Sequence, residues 1–153
     1  MLRIDDIHAF CVIGMRDCGK LLNDLAKYDI IFFEGSDCMA KNYLLIYSEQ
    51  LATDIELLCQ NIKAPFNTLF QIRKSSSSVY ANIREANYGQ SKADMLSKFE
   101  IALKECSETE GWLQLLFNTN SIDDKTYKNH RNLCGRIRRM LIASCKTLKE
   151  NAK

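Results

Sequence analysis

The sequence predicts an all-α protein: an antiparallel up-down-up-down four-helix bundle over residues 37–150, preceded by an N-terminal extension over residues 1–36. Its 153 residues include one proline and six glycines, too few for an all-β protein with many turns. Apolar residues also recur at alternating steps of three and four, which places them on one face of a helix. The chain has the length of one domain with a buried core.

The first two helices are predicted on either side of Pro65, which ends one helix and suits the first turn of the next. Ser36 or Asp37 is the candidate cap of the first helix. Four serines, Ser75–Ser78, lie in register within the second pattern, so we predict helix there rather than a linker. The predicted inward residues are Leu44, Tyr47, Leu51, Ile55, Leu58 and Ile62, then Leu69, Ile72, Ser76, Val79, Ile83 and Ala86.

The third helix follows Ser91 and Asp94, which resemble a capping box. Glu110 lies on its apolar face, so we expect it either at the rim of the bundle or paired with a cation. On the outer side, Lys104 is predicted to pair with Glu100 and Glu108 at i,i+4 spacing. The inward residues are Leu96, Phe99, Leu103, Cys106, Leu113 and Phe117.

The fourth helix is predicted to start at a cap formed by Ser121 with two following acids, Asp123 and Asp124. Its inward residues are Leu133, Ile137, Leu141, Ser144 and Leu148. In the extension, Leu21, Leu22, Leu25 and residues 30–33 are compatible with a short helix on the bundle, although Gly14, Gly19 and Gly35 interrupt any long pattern.

The seven cysteines include no C-x-x-C pair, and four of them fall inside helical patterns. We therefore expect reduced cysteines and a cytoplasmic protein. His8 and His130 are far apart, so neither a metal nor another cofactor is predicted. Residues 7–15 are too short to span a bilayer, and the N-terminus lacks the pattern of a secretory signal. Bundle di-metal sites use Glu-x-x-His pairs, which are absent, so we expect no enzyme and no small-molecule substrate.

Positive charge is concentrated at the end of the chain. Residues 121–153 carry nine basic and three acidic groups, whereas the whole chain has a net charge of only +2. The predicted nucleic-acid-binding residues are Arg131, Arg136, Arg138 and Arg139, which lie off the apolar face. The alternative is that these arginines are ordinary solvated charges or pair with the acidic third helix.

Residues 71–116 strongly resemble the bacterial four-helix bundle proteins encoded in 23S ribosomal RNA intervening sequences. The resemblance lies in the Arg73-x-Ser-x-Ser stretch leading to Ala81-Asn82-Ile83-x-Glu85-Ala86, in Gln90-Ser91-x-Ala93-Asp94, and in residues 101–113 with Lys104, Glu105, Glu108 and Trp112. It implies a cytoplasmic bundle that forms a homopentamer. The related accessory variability proteins of diversity-generating retroelements bind a reverse transcriptase and contact nucleic acid, which makes RNA and a reverse transcriptase candidate partners.

Residues 1–38 have no counterpart in that family, so either the native chain begins at Met39 or the extension is a local addition. Our functional hypothesis is a non-enzymatic oligomeric scaffold that binds RNA or a ribonucleoprotein through the basic fourth helix. The alternative is a protein–protein interaction module without a nucleic-acid role. The polar motif residues are Arg73, Ser76, Asn82, Glu85, Lys104, Glu105 and Glu108. We expect Asn82 and Glu85 to bond to Arg73 or Lys104 between helices and to fix their register, rather than to bind a ligand.

Overall fold

The computed structural model describes residues 42–150. This range contains four helices and no strand: α1 (Tyr43–Asn61), α2 (Phe66–Ala86), α3 (Lys92–Asn118) and α4 (Asp124–Glu150). Each helix packs against the next, and α1 also packs against α4, less extensively than the other pairs. The predicted all-α four-helix bundle is confirmed. The proposed extension and the candidate caps Ser36 and Asp37 lie outside the described residues.

Side chains cap three of the helices. Asn42 accepts a hydrogen bond from the Leu45 N–H at the start of α1, and Ser91 accepts one from the Asp94 N–H at the start of α3, both at 3.1 Å. The cap of α4 is Asp123, not Ser121, because the Asp123 carboxylate accepts from the Thr126 N–H at 2.7 Å. The hydrogen bonds from the Thr126 hydroxyl and N–H lower the pKa of Asp123.

Ser121 instead helps to end α3. Its N–H donates to the Leu116 carbonyl at 2.9 Å, while the Asn120 N–H donates to the Phe117 carbonyl at 3.0 Å. Asn120 has a φ of 55°, the left-handed conformation that this pair of bonds requires. The chain therefore reverses between α3 and α4 within a few residues.

The core lies where the four apolar faces meet. Its largest fully buried apolar side chains are Leu51, Ile55, Ile72, Val79, Ile83, Leu113, Leu116, Ile137 and Leu141. The serine tract is helical, as predicted, and two of its members are buried. Ser75 and Ser76 donate to the carbonyls of Ile72 and Arg73 at 3.2 and 3.1 Å, so their hydroxyls are satisfied inside the core.

Candidate nucleic-acid interface

The charge of α4 contrasts with that of its neighbour α1. Helix α4 carries eight basic and two acidic residues, whereas α1 carries three acidic residues and no basic one. Successive residues of a helix are turned by about 100°. Arg131 and Arg138, seven residues apart, therefore lie on one side of α4, and Arg136 lies on the other. The four predicted arginines do not form one continuous surface.

Arg131 and Arg138 are held against the fold on the α3 side. The Nε of Arg138 lies 3.5 Å from the Glu110 carboxylate, whose side chain is 22% exposed. Glu110 is therefore paired, which was one of its two predicted states. The Arg131 guanidinium lies 5.8 Å from the centre of the Tyr127 ring, within cation–π range. The alternative of pairing with the acidic third helix is thus observed for Arg138.

Arg136 lies on the other side of α4, and Arg139 lies about 60° from it, on the outer face of the helix. Neither has a carboxylate within 4.0 Å among residues 42–150. Both side chains are exposed, and the Arg139 Nη1 lies 3.6 Å from the position of a Cβ added to Gly135. The guanidinium of Arg139 therefore lies over the glycine. These two arginines keep their donors available to an external anion.

Three lysines of α4 are paired. Lys128 lies 2.7 Å from Asp124, and Lys146 lies 3.9 Å from Glu150. Lys149 reaches across to Glu100 on α3 at 2.7 Å, and this hydrogen bond raises the pKa of Lys149. With the Arg138–Glu110 pair, four of the eight basic residues of α4 are neutralised. Within residues 42–150 the basic residues of α4 without a carboxylate partner are Lys125, Arg131, Arg136 and Arg139.

A groove of about 730 Å³ separates α1 from α4 next to Arg136. Its α1 wall contains Tyr47, Gln50, Asp54, Leu57, Leu58 and Asn61, and its α4 wall contains Thr126, Asn129, His130, Asn132, Leu133 and Arg136. The Nδ1 of His130 lies 2.7 Å from the Thr126 carbonyl. Because a carbonyl only accepts, Nδ1 carries the proton, and Nε2 is an acceptor in the neutral form of the ring.

Sequence reasoning missed this groove. The signal that was available is the polar set Asn129, Asn132 and Arg136, spaced by three and four residues on α4. What the sequence lacked was the separation between α1 and α4, because that depends on how all four helices pack.

The motif residues of α2 make structural contacts different from those predicted. The Nε of Arg73 lies 3.0 Å from the Glu56 carboxylate of α1 and forms an ion pair with it. This buried Nε has no hydrogen bond of good geometry in the described range. Glu85 pairs with Lys98 of α3. Asn82 donates to the carbonyl and hydroxyl of Ser78, at 2.9 and 3.2 Å, within its own helix. The predicted bonds from Asn82 and Glu85 to Arg73 or Lys104 are therefore wrong, because nearer partners satisfy both side chains.

The motif residues of α3 also have local roles. The Glu108 carboxylate accepts a hydrogen bond from the Trp112 indole at 3.1 Å, and the Glu105 carbonyl accepts one from the Thr109 hydroxyl at 2.9 Å. Within residues 42–150, Lys104 has no ion pair, so its predicted pairs with Glu100 and Glu108 are not formed. Glu100 is engaged by Lys149 instead.

In the described part of the chain, no group of three or more His, Cys, Asp or Glu side chains is placed to hold a metal ion. None of the four helices is both long and apolar enough to cross a membrane.

Comparison with known proteins gives a consistent family assignment. The model of the 23S rRNA-intervening sequence protein family matches residues 44–143. A crystal structure of a protein of unknown function from the S23 ribosomal protein family of Bacteroides thetaiotaomicron is similar, with 39% identity and a TM-score of 0.65. The similarity covers 67% of this chain and 98% of that one. No curated protein matches. The chain therefore belongs to the family of 23S rRNA-intervening sequence proteins.

Proposed function

We propose that this protein is a non-enzymatic, cytoplasmic, oligomeric scaffold that binds RNA through the side of α4 that carries Arg136 and Arg139. The observation that supports the proposal is that these two exposed guanidinium groups have no carboxylate partner within residues 42–150. Arginine donors match phosphate oxygens in geometry and charge. A ribonucleoprotein, such as a complex of RNA with a reverse transcriptase, presents the same phosphate groups.

Two arginines bind phosphate weakly in one subunit. A homo-oligomer repeats the pair in every subunit and raises the overall affinity for a long RNA without any new contact. The family resemblance implies a pentamer. Sedimentation equilibrium of the full chain tests this part of the proposal, and a monomer at micromolar concentration contradicts it.

The test of RNA binding compares two double variants with equal loss of charge. Arg136→Gln/Arg139→Gln removes the available pair, and Arg131→Gln/Arg138→Gln removes the pair held on the α3 side. We expect the first variant to lose most of the salt-dependent mobility shift of a labelled RNA and the second to retain it. Equal losses would show that net charge alone governs binding, and no shift of the wild type at low salt would refute RNA binding.

The second candidate is a protein-interaction module. It is favoured by the Phe66 patch, which we define as Leu57, Phe66 and Phe70. These apolar side chains are 51%, 80% and 50% exposed, and the two phenylalanine rings stack with centres 6.3 Å apart. Exposed apolar patches mark protein contacts. Purification at low salt without nucleic acid, together with loss of self-association in Phe66→Ser/Phe70→Ser, would support this function over the first.

A further inference from the structure

We propose that the groove between α1 and α4 binds the bases of single-stranded RNA, with the sugar-phosphate backbone lying along α4. The inference rests on the proposed RNA-binding function and specifies the form of RNA and its orientation. Its support is that the two walls of the groove differ in charge, and that the groove adjoins the arginines available for phosphate.

The α4 wall suits the sugar-phosphate backbone of RNA. Arg136 lines the groove, and Arg139, three residues later, lies about 60° around the same helix. The exposed carboxamides of Asn129 and Asn132 lie on this wall as well. Carboxamides donate to phosphate oxygens or to ribose hydroxyl groups, and the arginines supply the charge that holds a polyanion.

The α1 wall suits bases and disfavours phosphate. Asp54 lines it, and a carboxylate repels phosphate but accepts hydrogen bonds from the amino groups of bases. Tyr47 on the same wall is half-buried and offers a ring for stacking. On the opposite wall, the Nε2 of the neutral His130 ring is a further acceptor. A strand whose phosphates lie on α4 therefore directs its bases towards acceptors.

The chemistry of the groove favours a single strand over a duplex. In an RNA duplex the remaining hydrogen of each adenine or cytosine amino group faces the deep, narrow major groove, which side chains cannot reach, so it is not accessible to Asp54. The volume of about 730 Å³ is within the roughly 300–1,000 Å³ that is usual for ligand sites. The groove therefore has room for unpaired bases.

The base preference follows from the acceptors. Adenine and cytosine carry an exocyclic amino group, whereas uracil carries none. We expect the full-length protein to bind 12-residue oligo-A or oligo-C about three- to tenfold more tightly than oligo-U, which corresponds to the net value of one typical hydrogen bond. Asp54→Asn, which adds amide donors, should reduce this ratio to about one or reverse it. Fluorescence anisotropy measures both ratios.

Photo-crosslinking identifies the occupant directly. Benzoylphenylalanine at position 129 should form an adduct with labelled oligo-C, and at Lys104, an exposed position on α3, it should not. An adduct from position 129 to residues 1–41 or to a second copy of the chain would overturn the proposal, because another occupant would then fill the groove.

The results separate the two proposals. If Arg136→Gln/Arg139→Gln weakens RNA binding but the wild type shows neither base preference nor an adduct at position 129, the groove proposal is refuted and the RNA-binding function stands. If the wild type binds neither an oligonucleotide nor the labelled RNA at low salt, both are refuted.

Discussion

The Thr109 hydroxyl of α3 lies 2.9 Å from the Ser75 hydroxyl of α2 inside the core of the bundle. Both residues are almost fully buried. Ser75 also reaches the Ile72 carbonyl, and Thr109 also reaches the Glu105 carbonyl. Each hydroxyl has one proton, so Ser75 donates to the Ile72 carbonyl, and Thr109 shares its proton between the Ser75 oxygen and the Glu105 carbonyl. The pair joins two helices at one defined register.

Thr109→Val preserves the shape of the side chain and removes this bond. We expect the free energy of unfolding to fall by about 1 kcal/mol, the usual net value of a buried hydrogen bond. Urea denaturation measures the change. In a double-mutant cycle, Ser75→Ala should cost less in the Thr109→Val background than in the wild type. Strictly additive effects would show that the two hydroxyls do not interact.

Leu141 and Ile142 are neighbours in α4 with opposite environments, since Leu141 is fully buried and Ile142 is 51% exposed. Leu141→Ala should lower the free energy of unfolding by about 2–5 kcal/mol because it leaves a cavity. The matched control Ile142→Ala should change it by less than about 0.5 kcal/mol. Similar losses in the two variants would mean that Ile142 is covered in the assembled protein.

Ser91 and Ser77 give a contrast between a cap and a helix interior. Ser91 caps α3, whereas Ser77 is exposed within α2. Ser91→Ala should destabilise the protein by about 1 kcal/mol because the Asp94 N–H loses its acceptor. Ser77→Ala should be neutral or slightly stabilising because alanine has the higher helix propensity. The two variants should therefore shift the midpoint of thermal unfolding by different amounts, and equal shifts would contradict the capping role.

We expect the protein to lose stability at high pH because of the Cys134 thiol. Its hydrogen bond with Cys106 and its burial raise its pKa above the ordinary value of 9.0. The folded state thus keeps a proton that the unfolded state loses above about pH 9, so stability is complete below that pH and declines above it. In urea denaturation under reducing conditions, the free energy of unfolding of Cys134→Ala should decline less steeply between about pH 9 and 10.5 than that of the wild type. The slopes should differ by up to about 1.4 kcal/mol per pH unit. Identical slopes would contradict the assignment.

Much of the fold could be predicted from the sequence because helix periodicity and caps are local properties. Pro65, Ser91 and the apolar spacing determined three helix boundaries to within a few residues. The partners of charged side chains could not be predicted in the same way. Glu85 has Lys98 opposite it on α3, and Arg138 has Glu110, and both pairs depend on the rotation of one helix against another.

The candidate site was predicted only in part, for the same reason. The sequence shows the basic character of α4 but not that its four predicted arginines divide between two sides of the helix. Helix rotation divides them, because Arg138 contacts Glu110 while Arg136 lines the groove towards α1. The groove itself needed the distance between α1 and α4, which no local pattern encodes.

Gly135 has a consequence for the motions of α4. An alanine methyl at this position would meet the Arg139 guanidinium at 3.6 Å, an ordinary contact distance, so space does not require glycine. Glycine nevertheless costs a helix interior about 1 kcal/mol relative to alanine. The middle of α4 is thus its intrinsically weakest turn, and transient opening that exchanges amide hydrogens should begin around Gly135 as well as at the helix ends. Within α4, the turn that carries Arg136 and Arg139 is therefore the part best able to adjust its backbone.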